Sequence, residues 1–290
     1  MPAFFRKPEA ALTAVLALTA TVLFWPVLSW IGRETAAHEQ LRQSLALMVF
    51  AVVFVLFDQW GKLKPAFELT NRNLLLLLTA FLIASVTLVW PNPYPVLAGL
   101  GLAFFALARI VFGSRAMPVY LPFAITFAGF LLLVLFLPIL DWPLRALAGG
   151  YASHLLELFG HRAHLTLIHD PAPTLLLLVD EQIFEVAAEC NGFGLMSTAA
   201  LLSLLLCVPQ AMPLWWKAAA VALAVLVGFG FNLVRIIGIV LAAPHVPDHY
   251  DLMHETVGLI ALFAGLTVVW LLIGSGKRPE PSEAQTSASV

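Results

Sequence analysis

Long charge-free apolar runs constrain this chain more than anything else in it. Residues 10–31 and 119–140 each carry no charged side chain at all. A helix of about 20 such residues matches the roughly 30 Å hydrocarbon core of a bilayer. Within lipid every backbone N–H and C=O needs an internal partner, so spanning segments are helices or closed barrels. Composition points the same way: 61% of the residues are hydrophobic and 11% charged, where a soluble domain is nearer half and a quarter. The chain therefore reads as an all-α integral membrane protein with about eight transmembrane helices.

Apolar runs and their punctuation place those helices near residues 10–31, 44–60, 73–90, 96–112, 119–140, 191–208, 217–243 and 254–273. The first run starts like a signal peptide, but it is too long for one and has no small-x-small cleavage site. Residues 32–43 read as a polar loop, and Pro91-Asn92-Pro93-Tyr94-Pro95 as a tight break. Five regions follow: an N-terminus (1–9), helices one to five (10–140), an interfacial segment (141–189), helices six to eight (190–273) and a disordered tail (274–290) rich in Ser, Pro, Glu and Ala. The interfacial segment has α/β character. Residues 142–159 have the spacing of an amphipathic helix. Residues 165–168, 174–179 and 182–186 read as strands, with Asp180-Glu181 as a hairpin turn that lacks glycine.

Eight spans put both termini on one side. That side collects Arg6, Lys7, Lys62, Lys64, Arg72, Arg109, Arg115, Lys217, Lys277 and Arg278; the other has Arg33, Arg42, Arg145 and Arg162. Positive charge marks the cytoplasm, so both termini are expected there and segment 141–189 faces outward. The net charge of −2 argues against nucleic acid as a partner, which leaves the lipid bilayer as the constant one.

Three residues of chemical interest fall at the outward face. Cys190, in Glu189-Cys190-Asn191-Gly192, stands where helix six begins. Unpaired N–H groups in a helix's first turn favour thiolate over thiol. Arg235 lies inside an apolar run, with Asn232 three residues earlier on the same face. His254 opens helix eight, and Gly258 follows on its face. Cysteine, histidine and arginine together are one way to build a thiol peptidase. Each has a plainer reading: a small packing cysteine, an arginine that snorkels or pairs with Glu189, and a solvated loop histidine. All eight histidines map outward, with several carboxylates near them, so a metal site is a rival. No His-Glu-x-x-His or Cys-x-x-Cys pattern supports it, and no cofactor is expected.

In order and in place, Cys190-Asn191-Gly192, Asn232-Leu233-Val234-Arg235 and His254-Glu255-Thr256-Val257-Gly258 resemble the exosortase/archaeosortase family of membrane transpeptidases. The resemblance covers residues 182–273. The family's glutamate commonly stands two residues before the cysteine, where this chain has Ala188 and places Glu189 adjacent. Phe193-Gly194-Leu195 also differs from the more usual Ile-Arg-Ser type. The resemblance implies a thiol transpeptidase or protease in the bacterial cytoplasmic (inner) membrane. Its substrates would be exported proteins with a C-terminal motif, a transmembrane helix and a basic cluster, cut at the outer face. It further implies Cys190 as nucleophile, Arg235 as charge stabiliser and His254 as proton-transfer residue. The alternative from another class is a multi-pass transporter or channel in which Arg235 binds an anionic substrate.

Overall fold

Helices satisfy their own backbone in lipid, and the chain uses them almost throughout. The computed structural model describes residues 8–58, 63–169 and 173–274. Eight α-helices occur among these: α1 (Pro8–Ala37), α2 (Glu39–Asp58), α3 (Asn71–Ser85), α4 (Pro93–Phe112), α5 (Met117–Leu158), α6 (Phe193–Cys207), α7 (Leu214–Ala242) and α8 (Tyr250–Val269). Six helical stretches are long and apolar enough to cross a membrane; they contain α1, α3, α4, α5, α7 and α8. The expectation of an all-α membrane protein holds, with six candidate spans among the described residues where about eight were expected. Three expectations fall partly or wholly outside the described residues: the basic residues Arg6 and Lys7, the loop residue Lys62, and the disordered tail beyond Gly274.

The central helix is α6. It has buried residues on every face and packs against α2, α5, α7 and α8. A helix apolar all round belongs in an interior. Its 15 residues reach only about 22 Å at 1.5 Å rise. At least one end therefore lies within the thickness that its longer neighbours span.

Several boundaries differ from the sequence reading. Residues 32–43 are not a loop: α1 runs to Ala37, α2 starts at Glu39, and only His38 interrupts them. Alanine, glutamate, glutamine and arginine favour helix in water as well as in lipid, so the helix continues where the apolar run ends. The proline-rich stretch breaks the chain at residues 90–92, but Pro93 and Pro95 begin α4 behind an Asn92 cap. Proline fits the first helical turn because its missing N–H is unpaired there anyway. The interfacial helix is not separate either. It is the second half of α5, which continues through Pro138 and Pro143 for 42 residues, about 63 Å. An ion pair from Arg145 to Asp141 bridges the turn that contains Pro143.

Beyond α5 comes a three-stranded antiparallel sheet of β1 (Ala163–His169), β2 (Pro173–Val179) and β3 (Gln182–Glu185), in that order. Alternate residues of β2 (Leu175, Leu177 and Val179) turn inward, as a period of two requires. They pack with Ala148, Ala152 and Leu156 of α5 and with Ile236 and Val240 of α7. Ser153 of α5 donates to the Ala163 carbonyl at 3.0 Å and so ties helix to sheet. Asp180-Glu181 is the two-residue turn between β2 and β3, with Val179 paired to Gln182. Asp180 takes φ +54°, a left-handed conformation that aspartate tolerates better than most residues. Its carboxylate pairs with His161 at 2.9 Å and accepts from the Arg162 N–H at 3.0 Å. The His161 bond, then the Arg162 bond, hold this carboxyl below its ordinary pKa.

Two substitutions separate the backbone role of Asp180 from its carboxylate role. Asp180→Gly keeps the left-handed turn and loses both bonds, while Asp180→Ala loses both bonds and strains the turn. Amide hydrogen exchange of residues 162–185 is expected to quicken in the order wild type, Gly, Ala. Equal exchange in all three would mean that neither feature holds the hairpin.

Candidate active site

Cys190 sits in a short 3₁₀ turn, Ala188–Asn191, that joins β3 to α6. It is not in the first turn of α6, which starts at Phe193, so the helix-terminal N–H groups do not reach it as the sequence predicts. Gly192 separates the two at φ +79°. A Cβ there would lie 2.8 Å from the Asn232 side-chain nitrogen. Conformation and close approach both demand glycine at this position.

Side chains from three helices hold this turn. Asn232 of α7 donates to the Cys190 carbonyl at 3.0 Å. Arg235 of α7 donates through Nη1 to the Glu189 carbonyl at 2.9 Å. Gln40 of α2 donates to the Ala188 carbonyl at 2.8 Å. Asn191 Nδ2 donates to Asp141 of α5 at 2.6 Å, and its side-chain Oδ1 accepts the Phe193 N–H at 2.7 Å. Asn191 and Asn232 are both 0% exposed. Buried amides of this kind are expected to be fully bonded, yet Asn232 Oδ1 and Arg235 Nε have no partner.

Arg235 lies against Gly258 of α8. A Cβ at that glycine would come within 3.2 Å of Nε, so glycine lets α8 close over the guanidinium. His254 is in the second turn of α8, not at its opening residue as predicted, because the helix starts at Tyr250. The two rings stack with centroids 6.0 Å apart. Arg235 and His254 face one cavity of about 320 Å³. Glu189, Gly192 and Asn232 complete this wall, and Glu39, Gln40, Arg42 and Gln43 of α2 form part of the lining. Cys190 itself does not line the cavity. It stands between two residues that do, Glu189 and Gly192, and packs against the apolar cluster of α5, sheet and α7.

That packing decides its ionisation. Burial pushes the Cys190 thiol above the ordinary range; the Arg235 charge opposes this and the Glu189 charge adds to it. The sequence predicts a thiolate held by a helix terminus, and the structure reverses the direction. No hydrogen bond joins the thiol to the His254 ring. The remaining histidines disperse: His161 pairs with Asp180, His154 with Glu157 and His38 with Glu34. Among the described residues no three metal-ligand side chains gather.

Of the predicted residues, Glu189, Gly192, Asn232, Arg235, His254 and Gly258 line one cavity, and Cys190 and Asn191 lie in the turn beside it. Sequence reasoning missed Gln40, Asp141 and Tyr250. Asp141 carried a signal, a carboxylate at the end of an apolar run. Tyr250 carried one too, four residues before His254 and so on its helix face. Gln40 carried none.

A family model described as transmembrane exosortase matches residues 30–271. The match covers most of the chain, including α2, well beyond the C-terminal third that the motifs alone reach. No curated protein and no solved structure matches.

The thiol's ionisation is measurable without any substrate. In a Cys207→Ala background, iodoacetamide alkylation of Cys190 in detergent-purified protein is expected to have a pH midpoint above that of a free cysteine peptide. Arg235→Ala removes the opposing charge and should raise the midpoint further. A midpoint below the peptide's would restore the helix-terminal thiolate.

Proposed function

The chain belongs to the transmembrane exosortase family, and from that premise we propose that it is a membrane-embedded thiol transpeptidase or peptidase cleaving C-terminal sorting signals of exported proteins. The observation that carries this reading is convergence. Segments 189–192, 232–235 and 254–258 come from a loop and two helices, and they meet at one polar cavity.

The chemistry proposed follows from their types. Cys190 gives its proton to His254 as its sulfur attacks the scissile carbonyl carbon. A neutral thiol suits this order, because the proton leaves as the bond forms. Negative charge then builds on the carbonyl oxygen, and Arg235, already fixed by its bond to the Glu189 carbonyl, stabilises it. The intermediate collapses: the C–N bond breaks, His254 returns the proton to the leaving amine, and a thioester to Cys190 remains. Water or an amine acceptor then attacks the thioester and regenerates the thiol. In the resting enzyme thiol and histidine are unbonded; such contacts often tighten only with substrate in place.

The site sits at the bundle end formed by the α1–α2 corner, the sheet and the start of α8. The excess of arginine and lysine at the opposite end supports an orientation with both termini cytoplasmic. This end then faces outward from the bacterial inner membrane. Substrates would carry a short motif, a transmembrane helix and a basic cluster, and the cut would fall just outside that helix.

Co-expression with such a substrate tests the reading. Cys190→Ala is expected to abolish processing while the protein remains in the membrane; processing by a well-expressed variant would end the thiol mechanism. Arg235→Lys keeps the charge but loses the planar fork, and should lower the rate on the order of a hundredfold, as loss of an oxyanion donor does. A substrate that keeps the motif but lacks the transmembrane helix should go uncut, with mass spectrometry of the product as the readout.

A further inference from the structure

We propose that Gln40 of α2 is a positioning residue of this site: it holds the Cys190 turn from α2 while Asn232 and Arg235 hold it from α7. The proposal rests on the reading of Cys190 as the nucleophile.

Gln40 is only 6% exposed. Its amide reaches across 148 residues of sequence to the Ala188 carbonyl, 2.8 Å away and two residues before Cys190. The next two carbonyls, of Glu189 and Cys190, are held from α7 by Arg235 and Asn232. Three consecutive carbonyls thus receive side-chain donors from two helices. Removing Gln40 leaves the Ala188 carbonyl without its donor and takes α2 out of the clasp.

Gln40 is itself held in place. One turn along α2, Ser44 bonds to the Gln40 carbonyl at 3.1 Å and to Ser197 of α6 at 2.8 Å. On α6, Gly194 leaves no room for a side chain: a Cβ would lie 3.2 Å from Gln40 Cα. A buried amide is a costly choice for a helix seam where leucine would pack, because it must find a partner. Here the partner is the backbone beside the thiol. A displacement of about 1 Å at a reacting group costs on the order of a hundredfold in rate, so this single bond can govern turnover without touching the scissile atoms.

Gln40→Leu and Gln40→Glu separate a donor from a space filler. Glutamate has the shape of glutamine. As a carboxylate it donates nothing to Ala188, but when protonated it donates an O–H. Two readouts apply, both on full-length protein in detergent: Cys190 alkylation by iodoacetamide in the Cys207→Ala background, and cleavage of a purified sorting-signal protein. Glu39 and Arg42 on α2, Asp141 and Arg145 on α5, Glu189, Arg235 on α7, and His254 and Glu255 on α8 also carry or can carry charge near the site. Each variant is therefore divided by wild type at the same pH.

For Gln40→Leu, alkylation is expected to be several-fold faster at every pH, because the freed turn exposes the half-buried thiol. Its kcat should fall between about tenfold and a hundredfold, with KM little changed. Gln40→Glu should match Gln40→Leu at neutral pH and return toward wild type as the pH falls and the carboxyl protonates. Reversal within one sample excludes misfolding, so the test stands even where Gln40→Leu fails to purify. Wild-type alkylation and turnover in both variants would overturn the proposal, as would a change in Gln40→Glu that ignores pH. Neither result touches the role of Cys190, which fails separately if Cys190→Ala still cleaves.

Discussion

The site depends on one constraint: the three consecutive backbone carbonyls of residues 188–190 take their hydrogen bonds from side chains. A net hydrogen bond is worth about 0.5–1.5 kcal/mol, but orphaning a buried acceptor costs about 1–3 kcal/mol. Loss of any of these donors therefore disfavours the observed turn. Gln40, Arg235 and Asn232 each supply one donor, and Asp141 anchors Asn191 from a third helix. A short strand-to-helix connection becomes the meeting point of α2, α5 and α7. The brevity of α6 contributes, since a central helix shorter than its neighbours leaves a recess that the turn and the cavity can occupy.

Much of this was legible in the sequence, for identifiable reasons. Hydropathy reports the helices because lipid leaves the backbone few choices. A short apolar run between turn residues reported β2, and the Asp180-Glu181 turn was readable without glycine because aspartate accepts a left-handed backbone. Arg235 stood out because charge inside an apolar run is costly and seldom idle. What stayed hidden is long-range pairing. Nothing near Gln40 in the chain indicates a bond to Ala188. Segment 32–43 looked like a loop because polarity ends the apolar run, although it does not end the helix. The Cys190 thiolate was misjudged because a local rule about helix ends ignored how deeply the sheet and α7 cover the residue.

The half-buried thiol bears on the proposed mechanism. A standing thiolate at an outer membrane face would be exposed to oxidation and to alkylating compounds. In the proposed reaction, a thiol packed in part against the apolar cluster of α5, sheet and α7 would be less open to both before substrate binds. Arg235 still lowers the cost of ionisation, so the two effects together hold the sulfur neutral but close to a charge that can receive it. In the proposed reaction the same guanidinium would also serve the later oxyanion. Burial and the nearby cation have opposite effects on the resting thiol.

The contacts of Arg235 also weigh against an anion carrier. A transported anion needs a cation whose donors are free and whose surroundings repel it little. One Arg235 donor is committed to the Glu189 carbonyl, Nε is enclosed, and the lining of the same cavity carries Glu39, Glu189 and Glu255. Three carboxylates against Arg42 and Arg235 make a poor resting site for a permanent anion. They are compatible with a charge that exists only in a transition state, where a fixed guanidinium acts at short range without having to hold a ligand. The oxyanion of the proposed reaction is such a charge, and a polypeptide substrate would enter the cavity neutral at the reacting bond.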